Sequence, residues 1–261
     1  MKSFKSIEKA LEGELCSAMG ALGLPFSVPA MQESEVGLID PETTVLLALM
    51  FSKHSRVVTD VPAWISRFSG LINHSKIRSL LSLLRTEQKK ALIDTIRGGH
   101  FEACPDAFKR AVGLTGKPPE AARRELRSRG SKLRPIESIS GSCAMIRNRL
   151  LFGTGFRADL ITVIQAVPFP IRINQVASMI GSAESTASRI VADLQACGFL
   201  DTHNQVPKDK RTGQGLFISA DTLRNASILL EATRFESKEL WQDALDDMEL
   251  RFDGLMRKAL G

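Results

Sequence analysis

Apolar positions recur three and four residues apart over most of this 261-residue chain, and this spacing predicts amphipathic helices. Strand-like alternation is nearly absent before residue 199. Asp40 stands directly before Pro41, which predicts a helix with Asp40 as N-cap and Pro41 at the first helical position. The helical spacing is clearest in residues 6–23, 40–54, 61–72, 75–84, 86–99 and 105–116. These segments predict a helical N-terminal half.

The N-terminal half carries no pattern that assigns it a task. Residues 60–84 admit one specific interpretation, a second and degenerate three-helix module, although they lack the turn spacing found later in the chain. The other interpretations are that the half senses a ligand, binds a partner protein or supports the wing. These alternatives stay open at the level of sequence.

The character of the chain changes between Lys117 and Pro135, where basic residues dominate and prolines stand at both ends. The basic residues are Lys117, Arg123, Arg124, Arg127, Arg129, Lys132 and Arg134, against the acidic Glu120 and Glu125. We interpret this stretch as a connector that contains a basic helix. It is either a solvated charge run or a supplementary arm that contacts phosphates.

Two short apolar-periodic segments flank a Gly-Ser turn between Ile173 and Leu200. Gly181 allows a left-handed backbone at that turn, and Ser182 is the expected cap of the next helix, with Ser185 as a second capping candidate. The predicted inward positions are Val176, Ala177, Ile180, Ala187, Ile190, Val191 and Leu194. The pattern predicts two helices that cross closely at a tight turn.

The second of these helices leaves short, hydroxyl-bearing side chains and one arginine on its outer face. They are Ser185, Thr186, Ser188 and Arg189. Side chains of this kind can approach base edges and phosphates without steric conflict. The face therefore favours contact with DNA.

The segment resembles the helix-turn-helix of winged-helix bacterial and archaeal transcription regulators, the broad MarR-like and ArsR-like group. The resemblance rests on the spacing of Ala177 and Gly181, on the S-x-x-S-T-x-S-R start of the second helix at Ser182, and on the Gly-Phe-Leu exit at Gly198. The preceding residues 155–167 are similar to the first helix of that module. Together the resemblance covers about residues 142–220. It implies a recognition helix that enters the major groove.

A basic β wing is expected after the recognition helix. Its strands would lie near Phe199–Thr202 and Leu216–Ser219, with Lys208, Lys210 and Arg211 at the tip beside two glycines. The three basic side chains would hold the flanking backbone or the minor groove. A long amphipathic helix of net acidic character then follows over residues 236–260, and it is a candidate for dimerisation or domain packing.

The predicted fold class is thus mainly α: an N-terminal helical domain, a winged helix-turn-helix with a two-stranded β wing, and a C-terminal helix. The expected divisions are residues 1–115 for the N-terminal domain, 116–140 for the connector, 141–220 for the DNA-binding domain and 221–261 for the C-terminal helices.

Composition agrees with an ordinary globular protein, with 43% hydrophobic and 25% charged residues. The net charge of +6 modestly favours an acidic partner such as nucleic acid. The longest apolar run, Val45–Phe51, is too short to cross a bilayer, and the first residues show no secretory signal. Four scattered cysteines without a CxxC spacing are expected to be reduced, so a cytoplasmic setting is expected.

Patterns that would indicate catalysis are absent from the sequence. The four histidines are dispersed, and none stands at a metal-binding distance from a cysteine. The segment Gly113–Pro118 suggests a P-loop, but its first glycine is replaced by Ala111 and Lys117 is followed by Pro118. No enzyme activity, cofactor or metal is therefore predicted.

The sequence predicts sequence-specific binding of double-stranded DNA by a homodimeric transcription regulator, with no role at a membrane. The expected DNA contacts are Ser182, Ser185, Thr186, Ser188, Arg189, Lys208, Lys210 and Arg211. The alternative is a protein-interaction or scaffolding module with only non-specific affinity for DNA. An effector ligand is neither indicated nor excluded.

Overall fold

The structure is a computed structural model that describes residue 13 and residues 15–26, 38–51, 56–97, 100–166, 172–200, 218–224 and 226–227. The helices within these ranges are α1 (residues 15–21), α2 (Pro41–Phe51), α3 (Val57–Arg67), α4 (His74–Leu83), α5 (Thr86–Arg97), α6 (Asp106–Val112), α7 (Glu120–Gly130), α8 (Ile136–Ser142), α9 (Ala144–Phe152), α10 (Phe156–Ala166), α11 (Ile173–Ile180), α12 (Glu184–Ala196) and α13 (residues 220–224). Two 3-10 turns, Ser69–Leu71 and His100–Ala103, join helices of the N-terminal half.

Helix α2 is the central helix of the N-terminal half. Every residue of α2 except Met50 is buried. Pro41 is the first helical residue, as predicted, and the carbonyl of Asp40 accepts the backbone N–H of Thr44 at 2.9 Å. The Thr43 hydroxyl donates to Asp40 Oδ2 at 2.6 Å. Proline at this position costs no hydrogen bond, because the first N–H groups of a helix have no partner within it.

The buried apolar residues form one contiguous core that runs from Leu15 to Ala226. Helices α3, α4 and α5 pack around α2, α7 lies against α3, and α9 lies against α10. Trp64 is anchored within this core, because its indole Nε1 donates to the carbonyl of Leu22 at 2.6 Å. Residues from each of the expected divisions of the chain therefore share one core, and the positions of the divisions stay a prediction.

The prediction of a two-stranded β wing is wrong. The ranges that the structure describes contain no strand, and Phe199 and Leu200 lie in a bend rather than in a strand. Their backbone N–H groups both donate to the carbonyl of Leu194, at 2.8 and 3.2 Å, so they close the end of α12. Ile218 forms an isolated parallel bridge with Ile39, and its carbonyl accepts the N–H of Asp40 at 2.9 Å. Ile218 therefore pairs with Ile39 of the N-terminal half and not with Phe199 or Leu200.

Several expected features fall outside the described residues. They are the wing-tip residues Lys208, Lys210 and Arg211 and the amphipathic segment 236–260. Among the helices that the structure describes, none combines the length and the apolar character needed to cross a bilayer.

Candidate nucleic-acid interface

Helices α10, α11 and α12 form a three-helix unit with a tight turn between its last two members. Helix α11 ends at Ile180 and is capped by Gly181, which has the left-handed backbone that the sequence predicts, with φ 67° and ψ 32°. The N–H of Ser182 donates to the carbonyl of Ala177 at 2.9 Å and so closes the turn. A glycine adopts this backbone without the steric penalty of a side chain. The structure thus shows two helices joined by a tight turn, and we refer to α11, this turn and α12 as the helix-turn-helix.

The inward face of the unit consists of the predicted apolar residues. Val176, Ala177, Ile180, Ala187, Ile190 and Leu194 are all buried, and Val191 is half-buried against the same core. Ala177 and Ala187 have no side-chain atom beyond Cβ, and small side chains let two crossing helices approach closely. The packing therefore fixes which side of α12 faces outward.

The start of α12 differs from expectation in one detail. The N-cap is Ala183 and not Ser182, and no side chain caps the helix. Ser182 is half-buried, and its hydroxyl contacts the carbonyl of Ala183 at 3.2 Å. The first N–H groups of α12 thus lack the predicted side-chain acceptor. Such groups attract anions at a helix N-terminus.

The outer face of α12 carries Ser185 and Arg189, both exposed and one helical turn apart. Thr186 and Ser188 flank them and are half-buried. Glu184 is also exposed, and its carboxylate opposes the approach of phosphate. The structure therefore places Ser185 and Arg189 on one accessible face and leaves Thr186 and Ser188 at its margins.

A second carboxylate on the outer side of α12 is neutralised. Asp193 forms an ion pair with Arg157 of α10, with 2.8 Å between Arg157 Nη2 and Asp193 Oδ2. Both side chains are about half exposed, so the pair contributes little to stability. Its consequence is electrostatic, because it leaves Glu184 as the unpaired acid of α12 within the described part of the chain.

The sequence did not predict a fully buried cluster of five ionisable side chains where α10 packs against the N-terminal half. Arg149 of α9 lies at its centre and binds Asp159 of α10 through Nε at 2.8 Å and Glu42 of α2 through Nη1 at 2.7 Å. Lys76 of α4 bridges Asp159 and Asp40 through its Nζ, at 2.8 and 3.0 Å. We call these five residues the charge cluster. It joins α10 directly to α2 and α4.

Three carboxyl groups face two cations in the charge cluster, so its full ionisation would leave one negative charge in excess. Burial raises the pKa of Asp40 to about 7, because the loss of solvation and the repulsion from Glu42 and Asp159 outweigh the attraction of Lys76. Asp40 Oδ1 is buried and has no hydrogen-bond partner among the described residues. A neutral Asp40 therefore removes both the excess charge and a charged oxygen without a partner.

The other two carboxyl groups remain ionised. Burial acts to raise the pKa of Glu42, but the Arg149 guanidinium outweighs it and holds this pKa below its ordinary value. For Asp159, Arg149 and Lys76 together overcome the same effect of burial and lower the pKa. Both cations stay protonated, since the attraction of the carboxylates exceeds the cost of their burial and raises their pKa values.

The turn of the helix-turn-helix lies directly on the N-terminal half. A methyl group at Gly181 would lie 3.2 Å from Ala220 Cβ and 3.6 Å from Leu80 Cδ2. On α11, the Ser178 hydroxyl donates to Asp221 at 2.5 Å and accepts from Arg224 at 2.7 Å. Contacts on two sides therefore hold the unit in one orientation against α4 and α13.

An apolar patch lies near the C-terminal end of α12. It consists of Leu150, Leu151, Phe152 and Phe199, which are 43–69% exposed. The rings of Phe152 and Phe199 meet edge to face, with 6.1 Å between their centroids. Ser185 lies near the other end of α12, a helix of 13 residues that spans about 20 Å. The patch and the start of α12 are thus separate surfaces.

Comparisons of this chain with protein-family models, with curated proteins and with solved structures give no match. The functional interpretation of α10 to α12 accordingly rests on their own geometry and chemistry.

Proposed function

We propose that the chain binds double-stranded DNA in a sequence-specific manner through α12, as a dimeric transcription regulator. The observation that carries the proposal is the outer face of α12, where Arg189 and Ser185 are exposed one turn apart on a helix whose other side is packed into the core. Arginine recognises guanine through two hydrogen bonds to O6 and N7. A helix that is held rigidly by its scaffold can present such a residue at a defined depth in the major groove.

Thr186, Ser188 and Ser182 complete the proposed contact set at the margins of this face. Hydroxyl groups of this kind bind phosphate oxygens or base edges. We propose that three basic residues contact the DNA backbone beside the recognised bases: Lys208, Lys210 and Arg211. Replacing Lys210 by alanine should weaken binding to all sequences alike and flatten the dependence of log affinity on log salt by about one.

The test is selection of bound molecules from a pool of random duplex DNA at near-physiological salt, followed by sequencing. The proposal expects enrichment of a pseudo-palindromic site, because a two-fold dimer reads two related half-sites. Arg189→Ala should reduce affinity for that site by about 1–3 kcal/mol and relax the preference at one base pair. Arg78→Ala is the matched control, since Arg78 is exposed on α4 and lies outside the helix-turn-helix. Equal affinity of the wild type and Arg189→Ala for the selected site would refute the assignment.

Glu184 offers a complementary gain of affinity. Its exposed carboxylate repels phosphate at the start of α12, so Glu184→Gln should raise the affinity for every duplex. The gain should shrink as salt is added, because salt screens the exposed charge. Unchanged affinity at low salt would show that DNA does not approach this end of α12.

A second candidate function is docking of a protein partner, and the apolar patch of Leu150, Leu151, Phe152 and Phe199 favours it. Exposed groups of large apolar side chains mark interaction surfaces. If the patch docks a protein, Leu151→Glu should abolish the complex with that protein partner, and the selection from random DNA should enrich no site. Enrichment of a site that Leu151→Glu leaves intact would instead favour DNA binding.

A further inference from the structure

A groove of about 750 Å³ opens between α3 and α6 of the N-terminal half and α7 of the basic connector. Its polar walls are formed by Arg67 of α3, Lys109 and Asp106 of α6, and Arg123 and Arg127 of α7. Four basic side chains thus face one acidic side chain. The groove carries an excess of three positive charges.

The arginines of this groove are available to an anion. Arg123 and Arg127 are exposed, and neither forms an ion pair within the described part of the chain. Arg67 donates through Nη1 to the backbone carbonyls of Gly130 and Leu133, which hold it in place without neutralising it. Such bonds fix a guanidinium in position and keep its charge.

The single carboxylate among the groove's lining residues already forms an ion pair within the protein. Asp106 pairs with Lys109, with 2.8 Å between its Oδ1 and Lys109 Nζ. This hydrogen bond lowers the pKa of Asp106, and the nearby positive charges of Arg110 and Arg123 lower it further. Lys109 also donates to the carbonyl of Gly116 at 3.3 Å. The positive charge of the groove is therefore concentrated on its three arginines.

The basic surface extends beyond the groove along α7 and the residues that flank it. Lys117, Arg124 and Lys132 are all exposed. Arg129, by contrast, is used internally, because it binds Asp60 at 2.9 Å and Glu125 at 3.0 Å. An extended row of cations fits a polymeric anion better than a single small one, since each phosphate of a nucleic acid carries its own charge.

We infer that this groove binds the phosphate backbone of double-stranded DNA without regard to base sequence. The inference rests on the proposed function for the identity of the ligand, but not on contacts made by α12. Arginine and lysine contacts to phosphate supply affinity and register, whereas base contacts supply specificity. The N-terminal half and connector would then add non-specific affinity to the specificity of α12.

The test measures binding of a labelled random-sequence duplex of about 30 base pairs by fluorescence anisotropy over a range of salt concentrations. The groove variant is Arg123→Gln with Arg127→Gln. The matched control is Lys89→Gln with Lys90→Gln on α5, which removes the same net charge from exposed positions outside the groove and outside the basic row along α7. All four positions are exposed, and a thermal melt of each variant verifies that the fold is retained.

The inference expects that the groove variant binds at least about tenfold more weakly at low salt and lowers the slope of log affinity against log salt by about 1.8, for two lost phosphate contacts. The control variant should change affinity less than about threefold and leave the slope unchanged. Equal losses in both variants would reduce the effect to overall charge and overturn the inference. No loss in either variant would overturn it as well.

Arg189→Ala, measured in the same series, separates this inference from the proposed function. One outcome is that Arg189→Ala loses the site preference while the groove and control variants bind the random duplex with equal affinity and salt slope. That outcome would support the role of α12 and refute DNA binding by the groove. A specific loss in the groove variant, with Arg189→Ala silent on every duplex, would support the groove and refute the role of α12.

Discussion

Asp40→Asn tests whether one carboxyl group of the charge cluster is protonated in the folded protein near neutral pH. Asparagine keeps the size of the side chain and removes its charge, so it resembles the neutral form of Asp40. Because Asp40 is completely buried and its pKa is raised from 3.8 to about 7, the folded state binds a proton that the unfolded state releases between these two values. The stability that this proton contributes is fully present below about pH 4 and is lost as pH rises through about 7.

The magnitude follows from the two pKa values. Each unit of pKa difference corresponds to about 1.4 kcal/mol, and the loss between about pH 5 and about pH 8 amounts to about 2.5 kcal/mol of the free energy of unfolding of the wild type. Asp40→Asn should lack this component. Relative to the wild type, the variant should therefore become more stable by about 2.5 kcal/mol across the same interval.

Urea unfolding followed by circular dichroism at several pH values measures the difference. Burial lowers the pKa of His74. The contributions of His74 and of other titratable groups cancel when the two curves are subtracted. Asp94→Asn is the control, because Asp94 is exposed and pairs with Arg97 at the surface. Parallel curves for the wild type and Asp40→Asn would refute the protonation of Asp40 in the folded state.

Three further predictions concern the scaffold and the thiols. Arg149→Met leaves two buried carboxylates without their guanidinium and should destabilise the protein by about 3–5 kcal/mol in urea unfolding, and a loss below about 1 kcal/mol would contradict the account of the charge cluster. Gly181→Ala and Gly113→Ala both place a methyl group on a left-handed backbone, at φ 67° and φ 73°, and this alone should lower the free energy of unfolding by about 1–2 kcal/mol in each. Gly181→Ala should lower it further, because its methyl group meets a close neighbour whereas the space around Gly113 is open. Equal melting temperatures of the two glycine variants would refute the packing of the turn. Alkylation at mildly alkaline pH should modify the exposed Cys197 well before Cys143, because burial raises the pKa of the Cys143 thiol to about 11, and mass spectrometry of peptides would show the order.

The helix-turn-helix was predictable because its signals are local. A glycine before a polar residue at the end of an apolar helical stretch favours a left-handed turn. The apolar spacing of Ala187, Ile190 and Leu194 sets the buried side of α12 through the helical period alone. Neither inference needs a contact that is distant in sequence. The same holds for Pro41 at the start of α2.

The wing and the charge cluster were not predictable in this way. Alternation near residue 218 indicates an extended backbone but does not say which segment pairs with it, and Ile218 pairs with Ile39. In the sequence, Arg149 and Asp159 each look like polar residues at the edge of an apolar helix. Their burial was not predictable from local sequence, because a charge can be buried only with partners, and these partners come from distant parts of the chain. Their position among apolar neighbours was the only local signal.

The charge cluster also has a consequence for the order in which the molecule can fold. Glu42 and Lys76 leave the ribosome long before Arg149, which lies 107 residues after Glu42. Until α9 is made, a buried Glu42 would lack its guanidinium partner, and until α10 is made Lys76 would lack Asp159. Closure of the N-terminal half should therefore wait for these two helices. Contacts of such long range slow folding and make it cooperative. Helices α9 and α10 are therefore the part of the scaffold that allows the earlier helices to become a folded unit.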